Sequence, residues 1–383
     1  MKIGQFSDSF LPIVDGVGRV VYSYCDTISK KGHKCYAIAP LTDMGYRGDL
    51  TFEVIDFFSR PLPTMPHYRA GLPIIDPHYH ARMELTHFDI VHLHSPFIAG
   101  IEAIRYTKKR NVPLVGTFHS KFYDDFLQVT GQKILADFGV KRVMSVFDQC
   151  DEVWAVSEAS AETLKSYGYE KDVYVMPNGM NYKVIDDKMI LKAKKTYQID
   201  ERPVLLFVGQ MNWKKNILRI LEAVALLKKQ KVNMQLILAG QGPHLDEISE
   251  LIEKLNITDS VKMVGHILDA ELLDGLYALS SLFVFPSLYD NAPMVVREAA
   301  NAKTPSVVIA NSNSAEVIID KVNGLYSKDT TEDLARVIKD TLSDEIGLIK
   351  MGQVAQKTIP IPWETIIDQV LLRYQYLIKQ RKV

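Results

Sequence analysis

Short apolar runs that alternate with amphipathic stretches along the whole chain constrain it more than any other feature. KIGQFS (2–7), KCYAIAP (34–40), DIVHLHS (89–95), PLVGTFH (113–119), EVWAVS (152–157) and VYVMPN (173–178) are rich in Val, Ile and aromatics and apolar on both faces. That is the pattern of buried parallel strands. Stretches 17–31, 97–110 and 133–149 between them read as helices. The alternation restarts after Asp200 with PVLLFVG (203–209), MQLILAG (234–240), VKMVGH (261–266), SLFVFPS (281–287) and PSVVIA (305–310). Strand–helix alternation of this kind implies right-handed crossovers and a doubly wound parallel α/β sheet. Two such sheets in series fit 383 residues, at roughly 150 residues per domain.

The polar, turn-rich segment 177–187 reads as the hinge. It divides a first domain (1–180) from a second (185–360). The final helix, near 363–380, has no strand after it and is expected to return to the first domain, which then includes 363–383. Residues 60–80 hold five prolines and read as a long surface loop or lid.

A formal net charge of −1 provides no global pull toward nucleic acid or an anionic membrane. Cys25, Cys35 and Cys150 form no spacing motif, which argues against a disulfide framework or a Cys-type zinc site and points to a reducing, cytoplasmic compartment. The opening MKIGQFSDSF lacks a signal-peptide core. No apolar run approaches the ~20 residues of a membrane span.

Ligands of open α/β sheets bind beyond the carboxyl ends of the strands, so the residues there are the candidates. Gly16 and Gly18 stand before a helix, where bare backbone admits a ligand and the helix N-terminus favours an anion. His119 ends a strand, and its imidazole suits hydrogen bonding to a sugar or phosphate. His92 and His94, with His78, His80 and His87 nearby, match no metal spacing, and no Asp-x-Asp triplet occurs. In the second half, Lys215 lies at a helix start after a strand and can neutralise phosphate oxygens. GQGP (240–243) is a further glycine turn after a strand. In FPSLYDNAPMVVREAA (285–300), Asp290 falls in a loop and Glu298 in a helix beginning near Met294. Free N–H groups at that helix start can hold phosphates, while the two acids accept sugar and ribose hydroxyls.

These residues, with VSEAS, PNG and NGL, resemble the retaining glycosyltransferases of the GT-B fold, family 4, from Met1 to Trp363–Glu364. The resemblance implies two Rossmann-like domains facing across a cleft. It implies that Glu298 holds the ribose and Asp290 the donor sugar's hydroxyls, in a motif with seven residues between the acids. Met294 and Val295 then hold the diphosphate through backbone N–H groups, and Lys215 pairs with it. Gly16 and Gly18 form a loop over donor and acceptor, and His119 lies near the transferred sugar. Gly265 and His266 lie near the base. No metal or other cofactor is expected. The sequence departs from the family pattern at Gln210, where Arg is usual, at Asp290 in place of Glu, and at Asn291 and Pro293 in place of glycines. NSNSA (311–315) replaces a glycine-rich loop before Glu316, and Arg19 is a candidate to supply the missing charge.

The implied reaction transfers a hexose from a UDP- or GDP-sugar to a lipid, glycolipid or saccharide acceptor. The opening and GTFHSKFYDDF most resemble bacterial enzymes that glycosylate diacylglycerol. Basic residues within 105–142, beside Phe126, Leu127, Ile134 and Leu135, suggest peripheral contact with anionic lipid. Three other readings compete. A nicotinamide-dependent oxidoreductase needs a third glycine that is missing here. A nucleotide-sugar epimerase needs acid and base flanking the sugar. A nucleotide-sugar sensor would explain Gln210 and the altered loop.

Overall fold

The computed structural model describes residues 1–12, 16–41, 49–62 and 65–381; for 62 and 65–68 the backbone alone is described. Residues 13–15 before the glycine pair, 63–64 of the proline-rich stretch and 382–383 lie outside the described residues. The chain forms two compact units, Met1–Gly179 with Trp363–Val383, and Met180–Pro362.

The first unit is built on strands β1 (Lys2–Phe6), β2 (Lys34–Pro40), β3 (Glu53–Phe57), β6 (Ile90–Leu93), β7 (Leu114–Phe118), β8 (Glu152–Ala155) and β9 (Val173–Val175), with a separate hairpin of β4 (Ser59–Leu62) and β5 (Met65–Gly71). The seven strands run in the order β3-β2-β1-β6-β7-β8-β9, and all pairs are parallel. The order reverses between β1 and β6, which places the ligand crevice of such a sheet beyond their carboxyl ends.

The second unit carries β10 (Val204–Val208), β11 (Gln235–Ala239), β12 (Val261–Gly265), β13 (Leu282–Phe285), β14 (Ser306–Ile309) and β15 (Gly324–Ser327), in the order β12-β11-β10-β13-β14-β15. All its pairs are parallel as well, and the switch point lies between β10 and β13. Burial on both faces explains the continuous apolar runs: β11 and β13 are buried at every residue. Helices start where a short side chain can bond the free N–H groups of the first turn. Asp186, Asp269 and Thr330 do this for Asp187–Thr196, Ala270–Leu279 and Thr331–Leu342.

Two elements differ from the sequence reading. Residues 60–80 are not one loop: they hold the β4–β5 hairpin, a short 3-10 turn (Pro73–Ile75) and the start of the helix Pro77–Leu85. Pro is tolerated because these strands form an isolated pair with open edges, and Pro77 sits at a helix start, where no N–H is needed. The edge strands β3 and β15 fall outside the expected runs.

The helix Trp363–Arg381 belongs to the first unit. Its apolar side (Trp363, Ile366, Ile367, Val370, Leu371 and Tyr374) is buried. Trp363 meets Tyr24 edge-on, and Tyr374 stacks on Trp154 with centroids 5.6 Å apart. Arg373 pairs with Glu152, and Lys31 with Asp368. A Cβ at Gly179 would meet the Trp363 ring at 2.7 Å, so only glycine lets the chain pass that indole.

Candidate functional site

In the second unit the loops after β10 and β13 flank the switch point, and Lys215 and Asp290 join them. Lys215 Nζ donates to Asp290 Oδ1 at 2.5 Å, with both side chains largely buried. Ser287 Oγ donates to Asp290 Oδ2 at 2.6 Å, and Lys215 lies 5.3 Å from the centre of the Tyr289 ring. Lys215 closes a 3-10 turn, Trp213–Lys215, rather than opening the next helix, which starts at Ile217. Asn216, with φ of 59°, makes the corner between them, and its Nδ2 donates to the Pro286 carbonyl at 3.2 Å. That bond ties the lysine loop to the aspartate loop.

The helix Met294–Asn301 follows Asp290. Its cap is Pro293, which has no side-chain oxygen for the first-turn N–H groups of Met294 and Val295. An uncapped N-terminus of this kind attracts an anion. Asn291 accepts a 3.0 Å bond from Asn313 Nδ2, so the NSNSA loop that stands in for glycines meets the Asp290 loop. One turn into the helix, Glu298 is half-buried and accepts from the Tyr277 hydroxyl at 3.1 Å.

Gln210 is exposed on a loop held rigidly at either side. Gly209 N–H donates to the Ala239 carbonyl, and Met211 N–H to the Gln241 carbonyl. The GQGP turn presses on that loop: a Cβ at Gly240, whose φ is +144°, would lie 1.8 Å from the Gly209 carbonyl oxygen. Gly265 adopts φ of +71°, and its carbonyl accepts from Gly240 N–H at 2.8 Å. His266, next in the chain, is exposed. Sequence reading passed over Arg297. Its guanidinium is buried, its Nε has no hydrogen-bond partner among the described residues, and burial lowers its pKa against the field of Glu316.

In the first unit, Gly16 and Gly18 lie inside the first turn of the helix Gly16–Lys30 rather than before it. Gly16 is exposed, with open space at its Cβ position, Gly18 is buried, and Arg19 is exposed. His119 follows β7 and is partly buried. Its Nε2 is 3.0 Å from His94 Nδ1, and desolvation lowers its pKa to about 3. His78 and His80 are exposed on the helix Pro77–Leu85, whereas His92 and His94 are buried in and just after β6. Burial lowers both well below the ordinary imidazole value, so these rings are neutral at physiological pH.

The family model for Glycosyltransferase Family 4 matches residues 14–183, and that for Glycosyl transferases group 1 matches residues 190–358. The chain belongs to the GT-B glycosyltransferases. This glycosyltransferase is 25% identical over 354 residues to an alpha-monoglucosyldiacylglycerol synthase of Streptococcus pneumoniae, covering 89% of this chain and 78% of that one. It is 24% identical to a GDP-mannose-dependent alpha-mannosyltransferase of Corynebacterium glutamicum, covering 98% and 88%. Among solved structures, HepE of Anabaena in complex with UDP superposes with a TM-score of 0.78 at 18% identity, covering 98% of this glycosyltransferase and all of that chain. Among the described residues no helix is long and apolar enough to cross a membrane.

Proposed function

We propose that this glycosyltransferase moves a hexose, with retention of configuration and without a metal, from a UDP- or GDP-sugar to a lipid or glycolipid acceptor at a membrane surface. The observation that carries the reading is the Lys215–Asp290–Ser287 cluster beside the uncapped helix start at Met294. Departure of a nucleoside diphosphate develops negative charge on its oxygens, and preorganised cations and N–H dipoles lower that barrier most. Lys215 and the N–H groups of Met294 and Val295 provide both. Asp290 and Glu298 accept hydroxyls of the sugar and the ribose, and Gly265 with His266 borders the base. Asp290 and Ser287 hold the lysine head before substrate arrives, so its rotamer freedom is already spent.

The Streptococcus relative, named for a diacylglycerol product, supports a lipid acceptor, and so does a surface of the first unit. Val129, Ile134, Leu135 and Phe138 are exposed on and beside the helices Phe122–Thr130 and Lys133–Phe147. Lys133, Lys141 and Arg142 are exposed with them. Exposed large apolar side chains among lysines and arginines suit the interface of an anionic bilayer. Phe126 is not part of this surface, because it stacks on Phe122 and covers Gly139.

The test is thermal stabilisation by a panel of nucleotide sugars, with Glu298→Ala as control, followed by transfer to diacylglycerol or to saccharide acceptors. At a hundred times its Kd the right donor contributes about 2.7 kcal/mol, a rise of roughly 2–4 °C. Stabilisation that Glu298→Ala abolishes, with turnover on lipid, is expected. No response to any nucleotide sugar overturns the reading.

A further inference from the structure

Arg297 is the fourth residue of the helix Met294–Asn301. It is 4% exposed, and its Nε has no hydrogen-bond partner among the described residues. A guanidinium held out of water without a bonded partner is costly to the fold. Two contacts bracket its surroundings. Asn313, in the 3-10 turn Asn313–Val317, bonds Asn291 just ahead of the helix, and Glu316 of the same turn acts on Arg297 through its field. The turn therefore runs along the side of the helix that carries Arg297. The hydroxyls of Ser312 and Ser314, at the start of that segment, are buried and also lack partners among the described residues.

Helix geometry gives the direction of the guanidinium. Long side chains in a helix lean toward its N-terminus and cover the turn before their own Cα. For Arg297 that turn is Pro293–Met294, and the rise back to Met294 is about 4.5 Å, within the span of an arginine side chain. Asn301, four residues on along the same face, agrees: its buried Oδ1 has no partner among the described residues, and a guanidinium directed that way would satisfy it. The cation thus stands beside the uncapped helix start, where the N–H groups of Met294 and Val295 attract an anion. The other charge there is already spent. Lys215 is bonded to Asp290, so that pair is neutral as a whole, and Gln210 carries no charge.

We propose that Arg297 is a diphosphate-binding residue, whose guanidinium donates to a phosphate oxygen of the nucleotide donor at this helix start, with the Ser312 and Ser314 hydroxyls as further donors. It supplies the cation that position 210 lacks. The inference rests on the nucleotide-sugar function proposed above. Charge-assisted bonds to phosphate are among the stronger ones a protein makes, so the cost of burying Arg297 is offset when the donor arrives.

The test is calorimetric titration of the whole chain with UDP and with GDP, beside thermal melting of the unliganded protein. Arg297→Met fills much of the arginine's space without its charge. It should weaken binding of whichever diphosphate the unsubstituted protein takes by roughly 10- to 100-fold, as for loss of one charged hydrogen bond. It should also raise the melting point without ligand by roughly 2 °C or more, because an unpaired buried charge is gone. Arg297→Lys keeps the charge but not the planar fork, and its affinity should fall between the two. Unchanged affinity in Arg297→Met overturns the proposal alone. So does an Arg297→Met protein that melts below the unsubstituted one, since the arginine would then be a partner the fold itself needs. An unsubstituted protein that binds neither diphosphate overturns the function proposed above and this inference with it.

Discussion

Asp8 lies beyond the carboxyl end of β1, and its Oδ1 accepts from Ala99 N–H at 3.0 Å in the first turn of the helix Ile98–Arg110. Its Oδ2 is buried with no hydrogen-bond partner among the described residues. Desolvation outweighs the backbone bonds from Ala99, Phe97 and Ile98 and raises its pKa from 3.8 to about 7. Below about pH 4 the carboxyl is protonated in both folded and unfolded chains, and its contribution to stability is fully present. As pH rises, the unfolded chain ionises first, and the contribution is lost through about pH 7. At about 1.36 kcal/mol per unit, the loss is on the order of 4 kcal/mol at most, because water reaches part of the residue. Asp8→Asn keeps the bond to Ala99 and removes the titration. Any cost of the unpaired amide is the same at every pH and cancels from the comparison. The assay is urea unfolding followed by tryptophan fluorescence in a Trp213→Phe background. The remaining tryptophans, Trp154 and Trp363, are both in the first unit. The Asn variant should gain stability relative to Asp8 steadily between about pH 4 and 8. A constant difference, or one that moves toward the aspartate with rising pH, refutes the reasoning.

Lys215→Ala should lower kcat/KM for transfer by more than ~100-fold, as for loss of one transition-state donor; near-normal turnover would remove Lys215 from the mechanism. Gly240→Ala places a methyl 1.8 Å from the Gly209 carbonyl oxygen at φ of +144°, and calorimetry should register a loss of about 2–4 kcal/mol, combining overpacking with backbone strain. Phe138, 70% exposed, tests the membrane surface: Phe138→Asp should weaken co-sedimentation with anionic vesicles several-fold while the melting point stays put, and unchanged sedimentation would clear this face of a membrane role.

The parallel strands were legible because burial on both faces leaves an unbroken apolar mark, as in VLLFV and QLILA. Edge strands leave a weaker one. β3 (EVIDF) alternates toward solvent, and β15 (GLYS) has only Leu325 and Tyr326 as large apolar residues. At 59–71 the prolines masked a hairpin, since Pro argues against a central strand but not against a strand with an open edge. The loops that carry Lys215 and Asp290 followed from the rule that ligands collect at strand ends, but their direct contact joins residues 75 apart in sequence. His92 and His94 stood out in the sequence only as neighbours in one apolar run. His92 and His94 alternate along one run, which puts both rings on one face. Nothing local pairs them with Tyr374, 282 residues away from His92.

The return of the helix Trp363–Arg381 to the first unit has a consequence for biosynthesis. A ribosome makes residues through Gly179, then all 183 residues of Met180–Pro362 (362 − 180 + 1), before that helix exists. At roughly 5–20 residues per second this takes about 10–40 s. Throughout it the nascent first unit lacks the partners of Tyr24, Trp154 and His92, which Trp363 and Tyr374 later supply. The second unit, continuous in the chain, has no such delay. The second unit, although its synthesis begins later, is therefore the first whose chain is complete.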